Sequence, residues 1–132
     1  KDFLVIARIE SIILGKSIND ALTRANAYSK AGADCILIHS KSDTPKEIFT
    51  FARKFKKSKY YKPLVCVPST YSKVKERELV KEGFKIIIYA NQLLRSAYKS
   101  MNMTATNILK NKRAFEVDKN ITKIKEILTL IK

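Results

Sequence analysis

The sequence predicts an α/β fold, the C-terminal half of a TIM (β/α)8 barrel: four parallel strands with intervening helices, plus an extra C-terminal helix. Three observations predict it. Four short apolar runs, at residues 3–7, 35–38, 64–67 and 86–90, are each followed by a helical stretch. Each run ends on polar or ionisable residues: Arg8 and Glu10, His39 and Ser40, Ser69 and Thr70, and Asn91. No glycine-rich phosphate loop follows the first run, which counts against a dinucleotide fold. A four-stranded flavodoxin-like sheet shares this element order. Polar groups at every strand end, and room for four earlier units, favour the barrel, whose chemistry sits at the C-terminal ends of its strands.

The elements follow in order. Residues 3–9 are β-rich and nearly continuously apolar, as a strand covered on both faces should be. Ser17-Ile18-Asn19-Asp20 has the spacing of a capping box and opens a helix with Ile18, Ala21, Leu22, Ala25 and Tyr28 on one side. Gly32 supplies the stop, and the strand Cys35–Ile38 follows. Thr44-Pro45-Lys46-Glu47 reads as a Thr cap, a Pro at the first helical position and a Glu at the third. Ile48, Phe51, Ala52 and Phe55 form the inner face of that helix. The third strand, 64–67, stops at Pro68, which cannot donate to a central ladder. A helix over 75–82 ends at Gly83, before the strand at 86–90. A longer helix runs to about Asn111, an irregular link covers 113–120, and a last amphipathic helix spans 122–131. Right-handed crossovers make parallel pairing the expectation.

At 132 residues the chain is long enough for one domain with a core but short for a complete barrel of roughly 250. It begins at Lys1 without a Met and reaches its first apolar run within two residues, which reads as a cut edge, so 1–132 is expected to be a single partial domain. No stretch is apolar enough to cross a bilayer and no charged-then-apolar leader is present. Cys35 and Cys66 both sit inside apolar runs, as buried free thiols do, and neither has a partner at metal-ligand spacing. A reducing, cytoplasmic setting is the simplest reading.

The formal charge of +15 favours small anionic substrates. Cations alternate with aromatics most densely over 53–62, a pattern also found in nucleic-acid binders. A helix ends there, however, and cations in a last turn complement the helix dipole. Lysines are also spread along the whole chain, so nucleic acid is the disfavoured partner.

Arg8 is placed to bind an anionic group in bidentate fashion, and also to pair with Glu10 two residues on and on the same strand face. His39, the only histidine, is either a satisfied core residue or a ligand and proton-transfer group. Ser40 and Lys41 continue into the loop as further anion contacts. Ser69 and Thr70 either bind substrate or hold the turn after Pro68, and the turn role is commoner. Asn91 reads first as the cap of the next helix, with Arg95 one turn on. Beyond Glu10 no carboxylates lie near the strand ends, so this segment alone makes no Mg²⁺ site. It has no Ser-His-Asp arrangement either, and catalysis would need residues from outside it.

Asp2-Phe3-Leu4-Val5-Ile6-Ala7-Arg8-Ile9-Glu10-Ser11, Ala31-Gly32-Ala33-Asp34, Ile38-His39-Ser40-Lys41, Val67-Pro68-Ser69-Thr70-Tyr71, Ile88-Tyr89-Ala90-Asn91 and Ile124-Lys125-Glu126-Ile127 occur in order. Together they resemble the C-terminal half of the phosphoenolpyruvate phosphomutase family, in the isocitrate lyase superfamily, over essentially the whole chain. The resemblance implies an isomerase that interconverts phosphoenolpyruvate and phosphonopyruvate on Mg²⁺, forming the carbon–phosphorus bond of phosphonate biosynthesis. It implies that Arg8 holds the migrating phosphoryl group with His39 beside it and Ser40 near the substrate. Glu10 would orient Arg8, with Ser69 and Asn91 supporting the site from behind. The Mg²⁺ carboxylates and a gating loop with a catalytic asparagine are expected upstream of Lys1. The helix at 121–132 is expected to pack on a partner subunit in a homo-oligomer. Gln92 and Ser69 depart from the family pattern, where histidine and threonine are usual. The alternatives are phosphonopyruvate hydrolase, a related carbon–carbon lyase, and a noncatalytic basic anion- or nucleic-acid-binding module.

Overall fold

In the computed structural model, which describes residues 2–130, the chain forms two compact units, Lys1–Ala90 and Asn91–Lys132. The first holds β1 (Ile6–Ile9), α1 (Ile18–Lys30), β2 (Cys35–Ile38), α2 (Lys46–Phe55), β3 (Leu64–Cys66), α3 (Glu76–Glu82) and β4 (Phe84–Ile87). The strands are all parallel and lie in the order β1-β2-β3-β4. Sequential order means that every crossover moves the same way. That is the winding of a barrel, whereas a flavodoxin-like sheet reverses direction at a switch point.

Alternation along the strands sorts the side chains between two faces. Ile9, Ile36, Ile38, Leu64, Cys66 and Phe84 face the helices, and join Ala21 and Ala25 of α1, Ile48, Phe51, Ala52 and Phe55 of α2 and Leu79 of α3 in one buried core. Cys35, Leu37 and Val65 form a separate cluster on the opposite face, against Val67 and Ile86. The two cysteines thus lie on opposite faces and remain free thiols, and burial pushes the Cys66 thiol up to about 12.

Several elements depart from the pattern in the sequence. The first strand begins at Ile6 because Asp34, before β2, takes the Val5 amide with its carboxylate at 2.8 Å. Ser17 caps α1 as expected, accepting from the Asp20 amide at 3.2 Å, while the Asp20 carboxylate turns away to Ser11 (2.6 Å) and Arg24 (2.9 Å). The fourth strand begins two residues early and ends at Ile87. Phe84 pairs with Leu64 but Ile86 with Val65, so Lys85 is the extra residue of a bulge. The bulge shifts the alternation and leaves Phe84 and Ile87 packed with the same core.

Gly83 makes the tight α3–β4 junction possible. It ends α3 at φ +103°, and an added Cβ would meet the end of the Lys56 side chain. Gly83→Ala is expected to destabilise the chain by about 1–2 kcal/mol. Urea unfolding would read this as a lower midpoint at unchanged slope.

The second unit contains α4 (Gln92–Asn111), a single 3-10 turn at Asp118–Asn120 and α5 (Ile124–Thr129). Ile131, expected within the last helix, lies outside the described residues. No residue of α4 or α5 is buried, and Leu93, Leu94, Tyr98, Leu109, Ile124 and Leu128 are all largely exposed. Among the described residues no helix is long and apolar enough to cross a membrane.

Candidate active site

The strand alternation that sorts the core also builds the site. Ala7 and Ile9 face the helices, so Arg8 and Glu10 project from the other side of β1. Ile36 and Ile38 do the same for β2, so His39 projects with them. The parallel register sets Ile9 opposite Ile38, which brings Glu10 and His39 side by side at the strand ends.

The three side chains meet. Arg8 Nε donates to Glu10 Oε1, and Arg8 Nη2 lies 2.5 Å from His39 Nδ1. His39 Nδ1 is also 3.1 and 3.2 Å from the two Glu10 carboxylate oxygens. His39 Nδ1 therefore faces both a donor, the Arg8 guanidinium, and an acceptor, the Glu10 carboxylate. Burial pushes the Glu10 carboxyl up, but its contacts with Arg8 and His39 outweigh this and hold it below its ordinary value. Half of the Arg8 side chain remains exposed, so its unspent N–H groups are open to an incoming anion. A cavity of 270 Å³ lies against Arg8, Glu10 and Ser11, with Lys16 and Arg24 on its wall.

The remaining predicted residues separate. Ser40 continues the alternation toward the helices and is 2% exposed. Its hydroxyl donates to Glu47 Oε2 at 2.5 Å and accepts from the Ser42 amide at 3.0 Å. Its one hydrogen is therefore spent within the protein. Ser69 sits in the turn after Pro68, its amide donating to the Val67 carbonyl at 2.8 Å, and the Thr70 hydroxyl donates to the Ser40 carbonyl at 3.4 Å. Lys41 is exposed. In the second unit Asn91 occupies the N-cap position of α4 without a side-chain cap bond, and its buried Oδ1 has no hydrogen-bond partner.

Two residues to which the sequence reading gave no part in the site or its supports matter here. Glu47 looked like the third residue of a capping box on Thr44, but α2 starts at Lys46 and Glu47 reaches Ser40 instead. The even spacing of 36, 38 and 40 was the available signal that Ser40 faces the helix bearing it. Glu82 takes Arg53 in a two-pronged pair, Nε to Oε2 at 2.9 Å and Nη2 to Oε1 at 2.5 Å. Lys56 Nζ donates to the Lys81 carbonyl at 3.1 Å. Part of the basic run over 53–62 thus serves as a brace between α2 and α3.

Acid sensitivity follows from these pairs. The Glu82 carboxyl is held low by the Arg53 hydrogen bond, as Glu10 is by its neighbours. A carboxylate depressed on folding contributes stability that is complete above its unfolded value, about 4.3, and lost as pH falls through the lower folded one. Stability should therefore fall from about pH 4 downward. Urea titrations across that range should show a shallower fall for Glu82→Gln.

The donor set does not fit a magnesium ion. Among the described residues no three His, Cys, Asp or Glu side chains gather into a metal site. The carboxylate at the strand ends, Glu10, is committed to Arg8 and His39.

The family model described as phosphoenolpyruvate phosphomutase matches residues 1–109. The chain is 36% identical over 129 residues to phosphoenolpyruvate phosphomutase of Tetrahymena pyriformis, covering 98% of this chain and 42% of that protein. Among solved structures, phosphoenolpyruvate phosphomutase from Streptomyces platensis subsp. rosaceus superposes with a TM-score of 0.89 at 37% identity, over 98% of this chain and 44% of that one. Phosphonopyruvate hydrolase in complex with oxalate and Mg²⁺ gives 0.87 at 38% identity, over 98% and 45%. The chain thus spans less than half the length of these relatives, and its four strands correspond to the C-terminal half of their barrel. A sequential parallel sheet, an Arg–Glu–His cluster on adjacent strand ends and these likenesses place the chain in the phosphoenolpyruvate phosphomutase family.

Proposed function

We propose that this chain supplies the phosphoryl-binding half of a Mg²⁺-dependent phosphoenolpyruvate phosphomutase of phosphonate biosynthesis. The observation that carries the reading is the Arg8–Glu10–His39 cluster on the barrel side of adjacent strand ends. A phosphoryl group in transfer spreads negative charge over its equatorial oxygens, and fixed donors aimed at that charge are the largest protein contribution to such a step. Arg8 brings permanent positive charge and N–H groups in a planar fork. Glu10 fixes that fork by taking Nε. His39, held at Nδ1 between Arg8 and Glu10, leaves Nε2 as a second donor to the same oxygens when that nitrogen carries hydrogen.

The rest of the site belongs, in this reading, to the part of a complete barrel that this chain does not span, including the Mg²⁺ ligands. The 132 residues alone should therefore not turn over phosphoenolpyruvate. The exposed apolar stretch Phe3, Leu4, Val5 and Ile6 along the β1 edge supports an adjoining barrel unit seated there. The exposed Ile124, Leu128 and Leu130 support packing of α5 on a second subunit, with a homo-oligomer as the expected state in light scattering. The two buried free thiols fit a reducing cytoplasm.

Phosphonopyruvate hydrolase is the second reading, favoured by an equally close solved structure. Phosphorus NMR of phosphonopyruvate incubated with the complete barrel enzyme and Mg²⁺ separates the two. The mutase gives phosphoenolpyruvate, and the hydrolase gives inorganic phosphate. No consumption of phosphonopyruvate would overturn both.

A further inference from the structure

His39 is the last residue of its segment held by the sheet, its amide donating to the Ile9 carbonyl at 3.3 Å. What fixes the chain immediately beyond it is Ser40. That residue gives its hydroxyl hydrogen to Glu47, accepts the Ser42 amide and takes the Thr70 hydroxyl on its carbonyl. Ser42 in turn accepts from the Thr44 amide at 3.2 Å, so the loop to α2 is tied down stepwise. Glu47 stands on a rigid mount, since Ile48, Phe51, Ala52 and Phe55 of the same helix are fully buried. Its charge in the first turn of α2 is also favoured by the helix dipole.

We propose that Glu47 is a positioning residue for His39, acting through the Ser40 hydroxyl. This rests on the reading of His39 as a phosphoryl contact. With the Ser40–Glu47 bond intact, the peptide following His39 is clamped on its helix side and the imidazole stays on Arg8. Without it, only the Ser42 amide and the Thr70 hydroxyl hold Ser40, and the looser loop carries the ring off the 2.5 Å contact with Arg8. A displacement of this order at a group aimed at the reacting atoms is costly in rate even where the fold survives.

The test uses the complete barrel enzyme, with phosphonopyruvate turnover followed by phosphorus NMR and folding followed by urea titration. Glu47→Ala should lower kcat by about 10- to 100-fold. Glu47→Gln, whose amide oxygen still accepts from Ser40, should keep at least about one third of the rate. In a His39→Ala background, Glu47→Ala should cost less than about a further twofold, because its effect runs through the missing ring. Equal losses in both backgrounds would mark a merely structural role and overturn the proposal, as would an unchanged rate with His39 intact. Should Glu47→Ala fail to fold, Ser40→Ala removes the same bond from the other side, and the same outcomes decide. A normal rate in His39→Ala alone would instead overturn the reading of His39.

Discussion

Arg8→Ala in the complete barrel enzyme should lower kcat/KM for phosphonopyruvate by about 10²- to 10³-fold, the usual loss when one donor to a developing oxyanion is removed. Stability should barely respond. Arg8 and Glu10 are half and more than a third exposed at their side chains, and such pairs are worth about 0–1 kcal/mol. The two readouts together are diagnostic, because a core residue would lose both. Arg8→Lys should fall between, keeping the charge but losing the fork that serves Glu10, His39 and substrate at once. Steady-state rates and urea midpoints on the same preparations check the expectation; a near-normal rate for Arg8→Ala would refute the assignment.

Phe51→Ala should do the reverse, removing the fold first. Phe51 and Phe55 are both fully buried, their rings stacked with centroids 5.5 Å apart, in the core beneath the sheet. Truncating a buried phenylalanine typically costs about 3–5 kcal/mol, against a total stability of about 5–15 kcal/mol. Urea or thermal unfolding should show a large drop in midpoint. Activity should be lost in proportion to unfolded protein.

The sequence made the core and the site face legible to different depths. Cys35–Ile38 and the inner face of α2 could be read outright, because their apolar periodicity has one solution once both faces of the sheet are covered. The start of β1 could not, since it depends on Asp34 reaching across to the Val5 amide from 29 residues away. The start of β4 was hidden by Lys85, an exposed cation in a bulge that no local pattern announces. At the site, Arg8 and Glu10 could be paired from their spacing of two, and His39 joined them because the register lines up the strand ends. Ser40 was harder, because its even spacing from Ile36 and Ile38 is a guide only if the alternation continues past the last residue of β2. Its partner Glu47 decided the matter, and that contact depends on where α2 begins.

The claim that Arg8 binds the phosphoryl group is tested most directly by comparing two ligands that differ there. Phosphonopyruvate carries a phosphoryl group, whereas oxalate, bound with Mg²⁺ in the phosphonopyruvate hydrolase structure, has none. In steady-state assays of the complete enzyme and its Arg8→Ala variant with Mg²⁺, kcat/KM for phosphonopyruvate should fall by about 10²- to 10³-fold while the inhibition constant of oxalate stays nearly unchanged. Equal losses for both ligands, or for neither, would contradict the placement of the phosphoryl group on Arg8.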